Sequence, residues 1–185
     1  MKKKIVFIMN PISGTSSKAA VPSLIDSTLD KEQFEYEIKM TERPGHASEL
    51  AAEARDNHAD IVVAVGGDGT VNEVARSLVH SDSALGILPC GSGNGLARHL
   101  LLPMNLKKSI EIINACEIHD LDYGIINEYP FFCTCGMGFD AFVSMKFAES
   151  GKRGPISYAE NILREGLKYE PETYTLEDET GTKQY

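Results

Sequence analysis

Short apolar runs rich in β-branched residues alternate with amphipathic helical patterns as far as about residue 115, and each run ends in a turn of Gly, Asn, Pro or Ser. That alternation predicts an α/β fold, a parallel sheet flanked by helices on both faces, because parallel neighbours need helical crossovers. The pattern changes after about residue 116, where short extended runs and a final hairpin signal take over. Two domains are therefore expected: an α/β domain over 1–118 and the start of a β-rich domain over 119–185.

The elements follow in order. Lys4 to Met9 lacks polar interruption and reads as a strand buried on both faces. Asn10-Pro11-Ile12-Ser13-Gly14 stops it. Ser17 to Leu29 reads as a helix, with Pro22 awkward in its first turns. Phe34 to Met40 alternates and reads as a strand, and Gly45 to Asn57 is a helix rich in Ala and Glu. Ile61 to Val65 is a second buried strand, followed by a helix that carries Val71, Val74, Ala75 and Leu78 on one face. Ala84 to Leu88 is a strand, Leu96 to Leu101 a short helix and Leu106 to Ala115 another. Beyond them, Ile118 to Ile125 and Phe131 to Cys135 read as extended, and Gly138–Glu149 and Ile156–Tyr169 as helical, the latter behind a Ser157–Glu160 capping box. Glu172 to Glu177 alternates into a turn at Glu179-Thr180-Gly181. The turn reads as the middle of a hairpin whose second strand is missing, so the chain is read as a fragment with an unpaired edge that invites pairing between copies.

A net charge of −9 argues against nucleic acid as a partner. The apolar stretch after Lys2-Lys3-Lys4 ends at Asn10-Pro11, too short for a signal peptide, and no run approaches the ~20 residues of a membrane span. Cys90, Cys116, Cys133 and Cys135 lack metal-finger spacing, and Cys133 and Cys135 fall on one face of an expected strand. They read as core thiols of a cytoplasmic protein. His46, His58, His80, His99 and His119 show no metal-ligand spacing either.

The chemistry is concentrated in Gly66-Gly67-Asp68-Gly69-Thr70. Strand, glycine turn and helix N-terminus form a geometry that holds phosphate, because glycines remove the Cβ atoms that would keep backbone N–H groups from an anion. Asp68 would repel phosphate unless a cation lies between, or unless it handles a proton. Nucleotide with Mg²⁺ satisfies both conditions. The turns at 10–14, 66–70 and 89–95 all follow strands, so they are expected at one edge of the sheet.

Five motifs occur in sequence: Asn10-Pro11-Ile12-Ser13-Gly14, Thr41-Glu42-Arg43-Pro44-Gly45-His46-Ala47, Gly66 through Glu73, Leu88 through Arg98, and Gly136-Met137-Gly138-Phe139-Asp140-Ala141. Together they resemble the diacylglycerol kinase catalytic-domain family, which includes bacterial lipid kinases and sphingosine kinases. The resemblance implies transfer of the γ-phosphate of ATP, with Mg²⁺, to a lipid hydroxyl of diacylglycerol, a long-chain base or a related lipid. It implies peripheral contact with a membrane and a C-terminal β-sandwich bearing the lipid pocket. The implied nucleotide contacts are Asn10, Pro11, Ile12, Ser13, Gly14, Thr41, Gly66, Gly67, Asp68, Gly69, Thr70, Val71, Asn72 and Ser92. Asp68 either orients or deprotonates the acceptor hydroxyl or holds a Mg²⁺–water cluster. Asp140 is carried over as a contact to the lipid's polar head. No Walker lysine is present, so Mg²⁺ with Lys18 or Arg98 must offset phosphate charge. The metal-binding carboxylates are implied beyond Tyr185, which leaves no Mg²⁺ ligand named here and argues against activity of the 185-residue piece alone.

Each motif has a plainer reading. Thr70 and Glu73 have capping-box spacing, Asp68 suits an Asx turn, Ser92 suits a helix cap, and Asn94 suits either a left-handed turn or a catalytic role. Lys152-Arg153 reads as a solvated loop or, more sharply, as a headgroup contact. At the level of function, the alternatives are a NAD kinase, which shares Gly-Gly-Asp-Gly-Thr but has a different downstream glycine motif, and a non-catalytic nucleotide-binding module.

Overall fold

The computed structural model describes residues 2–14, 18–149, 162–164, 166 and 169–185. Among these, the chain divides into two compact units, Met1–Thr134 and Cys135–Tyr185.

The first unit is built on four parallel strands, β1 (Lys3–Met9), β2 (Phe34–Met40), β3 (Ile61–Gly66) and β4 (Ala84–Pro89), in the order β2-β1-β3-β4. The helices are α1 (Val21–Thr28), α2 (His46–Asp56), α3 (Asp68–Leu78), α4 (Gly95–His99) and α5 (Leu106–Ala115). Successive strand residues point to opposite faces, and both faces are covered. Val6, Ile8, Val62 and Ala64 pack with Ala47, Ala51 and Ala54 of α2, with Val71, Val74 and Leu78 of α3, and with Leu96 and Ala97 of α4. Ile5, Phe7, Met9, Val63 and Val65 pack with Val21 and Ile25 of α1 and with Ile110 and Ile113 of α5. Phe7 is fully buried between strand neighbours, so Phe7→Ala would cost about 3–5 kcal/mol. The α/β sheet with helices on both faces stands as the sequence predicts.

Several expectations are corrected. α1 begins at Val21, with Pro22 in its opening turn, where proline's missing N–H costs nothing. Ile118 and Leu121 lie outside any strand. β5 (Gly124–Ile126) and β6 (Tyr129–Phe131) form a short hairpin around Asn127 and Glu128, both left-handed (φ 46° and 69°). Its ladder ends where the Phe131 ring covers Gly124, so Cys133 and Cys135 lie past the strand and are exposed instead of facing a core.

In the second unit, α6 (Phe139–Glu149) is followed by a complete hairpin, β7 (Thr175–Asp178) with β8 (Gly181–Gln184). The second strand, expected to be missing, is therefore present. Asp178 Oδ1 accepts from the backbone N–H (2.7 Å) and hydroxyl (2.5 Å) of Thr180, and Gly181 adopts φ +128°. The turn is tight enough for the last residues to pair, and Tyr174 and Tyr185 exchange backbone hydrogen bonds at its open end. The Ser157–Glu160 capping box and Lys152-Arg153 lie outside the described residues.

Candidate functional site

The carboxyl ends of the parallel strands bring the first, third and fourth motif loops together. At the end of β1, Asn10 closes an Asx turn by accepting from the Ile12 N–H (3.0 Å), and its backbone carbonyl accepts from the Ser13 hydroxyl (3.2 Å). Asn10 Nδ2 donates across to Thr70 Oγ1 (3.4 Å). Gly14, at φ +68°, lies against the Cys90 carbonyl, where an alanine methyl would overlap that oxygen. Gly67 and Gly91 approach backbone to backbone, and a Cβ on Gly67 would lie 3.0 Å from Gly91 Cα. Three loops distant in sequence thus meet where only glycine leaves room.

The first turn of α3 is the hub. Asp68 Oδ2 accepts from the Asn94 N–H (2.9 Å) and Oδ1 from the Gly95 N–H (2.5 Å). The exposed carboxylate therefore caps α4 and ties the third loop to the fourth. Ser92 does not cap that helix; it is exposed, and the N–H groups of Ser92 and Gly93 have no hydrogen-bond partner among the described residues. Asn94 is left-handed (φ 56°, ψ 47°) and buried, and its side chain both accepts from the Gly91 N–H (2.8 Å) and donates to the Gly91 carbonyl (2.9 Å). Its role is to hold the loop's shape.

Glu73 does not close a capping box on its own helix. Its Oε1 and Oε2 accept from the N–H groups of Gly45 (3.2 Å) and Ala47 (3.1 Å), and its carbonyl accepts from the Ser48 hydroxyl (2.8 Å). It therefore caps α2 from a neighbouring helix. α3 itself starts at Gly67 with no side-chain cap, so its leading N–H groups stay open at the loop cluster. Sequence spacing hid the parts played by Glu73 and Asn94, because both depend on residues in other loops or on a local backbone turn.

The remaining candidates are placed as follows. Thr41 is buried at the end of β2, its N–H on the Met9 carbonyl (2.9 Å). Gly66 is buried and faces the Thr70 side chain, and the Val71 N–H reaches the Gly67 carbonyl (3.0 Å). Gly69 has open space around it, Asn72 is half-buried beyond it, and Pro11 and Ile12 are exposed. Lys18 is buried with its ammonium on the Ser13 carbonyl, and Arg98 Nε donates to the Gly93 carbonyl (2.8 Å). Both cations therefore shape the loops. Burial pushes the Cys90 thiol up, opposed by the Lys18 charge. Asp140 belongs to the second unit, on α6, with its carboxylate over Gly136, where no Cβ intervenes.

The cluster brings together open N–H groups, one anchored carboxylate and hydroxyl-bearing side chains. Such a cradle suits an oligophosphate, which it meets with neutral donors. The cradle includes a single carboxylate that could face Mg²⁺, and no group of three or more His, Cys, Asp or Glu suited to a metal occurs among the described residues. No described helix is long and apolar enough to cross a membrane. A concavity of about 290 Å³ lined by Arg55, His58, Asp60 and Ser81 to Ser83 lies at the opposite, amino-terminal end of the strands.

Residues 4–126 match the family described as the diacylglycerol kinase catalytic domain. A protein named diacylglycerol kinase in Staphylococcus saprophyticus subsp. saprophyticus is 32% identical over 85% of this chain and 53% of its own length. A relative in Streptococcus pneumoniae serotype 4 is 30% identical over 97% of this chain and 62% of its own. The chain thus spans between about half and three fifths of the length of these curated relatives. A crystal structure of a diacylglycerol kinase from Bacillus anthracis superposes on 70% of this chain and 48% of that one, with a TM-score of 0.60 at 24% identity, which supports the fold. The loops that converge at the strand ends all lie within the matched residues, and the chain belongs to the diacylglycerol kinase catalytic-domain family.

Proposed function

We propose that the chain carries the nucleotide-binding part of a lipid kinase that moves the γ-phosphate of ATP to the hydroxyl of diacylglycerol, a long-chain base or a related lipid. The observation that carries this reading is the meeting of Gly14, Gly67 and Gly91 at the carboxyl ends of the strands, beside the uncapped start of α3. Residues 119–185 are proposed to begin the part that receives the lipid.

Phosphoryl transfer depends on positioning and charge stabilisation more than on covalent chemistry. In this reading the open N–H groups of 67–70 and 92–93 bind the phosphates, and Asn10, Thr70 and Ser92 orient them. Thr41 and the Gly45–Ala47 turn border the nucleoside side. Asp68, locked by two N–H donors, presents its remaining lone pairs in fixed directions, which suits orienting the acceptor hydroxyl or a metal-bound water. Mg²⁺ would supply charge neutralisation for the β- and γ-phosphates, with Asp68 as the nearby carboxylate. Asp140 is proposed to reach the lipid's polar head.

The test is an ADP-release assay on the intact gene product with dispersed lipid alcohols. Turnover should require both lipid and Mg²⁺, and Asp68→Ala should abolish it while the fold survives. Wild-type turnover in Asp68→Ala would remove that residue from the chemistry, and phosphorylation of NAD in place of lipid would replace the reading altogether.

A further inference from the structure

We infer that the turn from Arg98 to Lys108 is a membrane-docking tip that inserts leucine into the surface of an anionic lipid bilayer. α4 ends in a Schellman turn: the Leu101 N–H bonds the Arg98 carbonyl (3.0 Å) and the Leu102 N–H bonds the Ala97 carbonyl (2.8 Å). Leu101 takes the left-handed position of that turn, at φ +57°. Glycine adopts this conformation without strain and leucine does not. The strain gains no packing, because Leu101 is 88% exposed. Leu100 and Met104 beside it are exposed as well, whereas Leu102 turns inward onto the sheet-facing core.

The surrounding charges break a second local rule. α5 opens with Lys107 and Lys108 and carries no acidic residue in its first turn, although the positive end of a helix favours carboxylates there. Neither lysine is in an ion pair among the described residues. In a chain of net charge −9, no Asp or Glu occurs between Asp82 and Glu111, while Arg98, His99, Lys107 and Lys108 all fall in that interval. A strained, exposed leucine in a segment that carries Arg98, Lys107 and Lys108 and no carboxylate costs the isolated fold stability on two counts, and local conflicts of this kind mark functional positions. Apolar side chains flanked by cations are what an anionic bilayer surface recognises. An anionic bilayer offers both halves of this match, charge for the cations and an apolar layer for the leucine.

The inference rests on the lipid kinase reading only in that such an enzyme meets its acceptor at a membrane. It is tested without nucleotide or turnover, so either can fail alone. The chain is co-sedimented with vesicles of equal parts phosphatidylglycerol and phosphatidylcholine, and with phosphatidylcholine alone. Leu101→Gly should raise thermal stability yet lower partition onto the anionic vesicles by about ten-fold. The double variant Lys107→Glu, Lys108→Glu should also keep or raise stability, and should abolish the preference for anionic over neutral vesicles. Unchanged vesicle partition in these stable variants would overturn the inference. So would equal partition of the parent chain onto both vesicle types, or loss of the Leu101 effect into self-association alone.

Discussion

Asp68 holds two loops with one side chain, and this makes its removal a structural event as well as a chemical one. Asp68→Ala leaves the Asn94 and Gly95 N–H groups without their acceptor and should cost about 1–2 kcal/mol in denaturant unfolding. A loss well under 0.5 kcal/mol, on the order of a neutral surface change, would show that the carboxylate does not anchor the loop. Cys90 makes a different kind of prediction. Burial raises its thiol above the ordinary value of 9.0, so the folded state keeps the proton longer than the unfolded one. That contribution to stability is complete below about pH 9 and is lost as pH rises through the raised value. Cys90→Ala should therefore flatten the alkaline decline in unfolding midpoint, and an identical decline in the variant would refute the assignment. The glycines at 67 and 91 are legible from sequence because close backbone approach has few other causes. The partners of Asp68 are not, because they lie in a separate loop that only the sheet order brings near.

At the scale of elements, α3 organises the site. Its first turns reach Asn10 through Thr70, the fourth loop through Asp68 and the start of α2 through Glu73. Glu73→Ala should cost about 1–2 kcal/mol and speed hydrogen exchange at the Gly45 and Ala47 amides. Unchanged exchange at those amides would contradict the cross-helix cap. The buried strands and the Leu106–Ala115 helix could be read from apolar runs and periodicity, since both follow from burial on the sheet. The stretch after residue 116 read poorly. Alternation at Phe131 to Cys135 looked like one longer strand, but the partner strand is only Gly124–Ile126, and pairing rather than propensity sets where β6 stops. The final hairpin differs from its sequence reading for the opposite reason. Asp178 and Gly181 turn the chain so sharply that the residues left before Tyr185 suffice for a second strand.

At the scale of the whole molecule, a parallel sheet covered on both faces leaves the carboxyl ends of its strands as the place where backbone donors converge. At the opposite end, Arg55, His58, Asp60 and Asp82 line a concavity. The loop cluster at the carboxyl end is proposed to bind the triphosphate. The most direct measurement is an amide NMR titration of the chain with ATP and Mg²⁺, repeated on Gly91→Ala, whose methyl would overlap Gly67. Shifts should concentrate at 10–14, 66–72 and 90–95 and should disappear in the variant. Shifts absent from those loops, centred on the Arg55–Ser83 end, or undiminished in Gly91→Ala would contradict the claim.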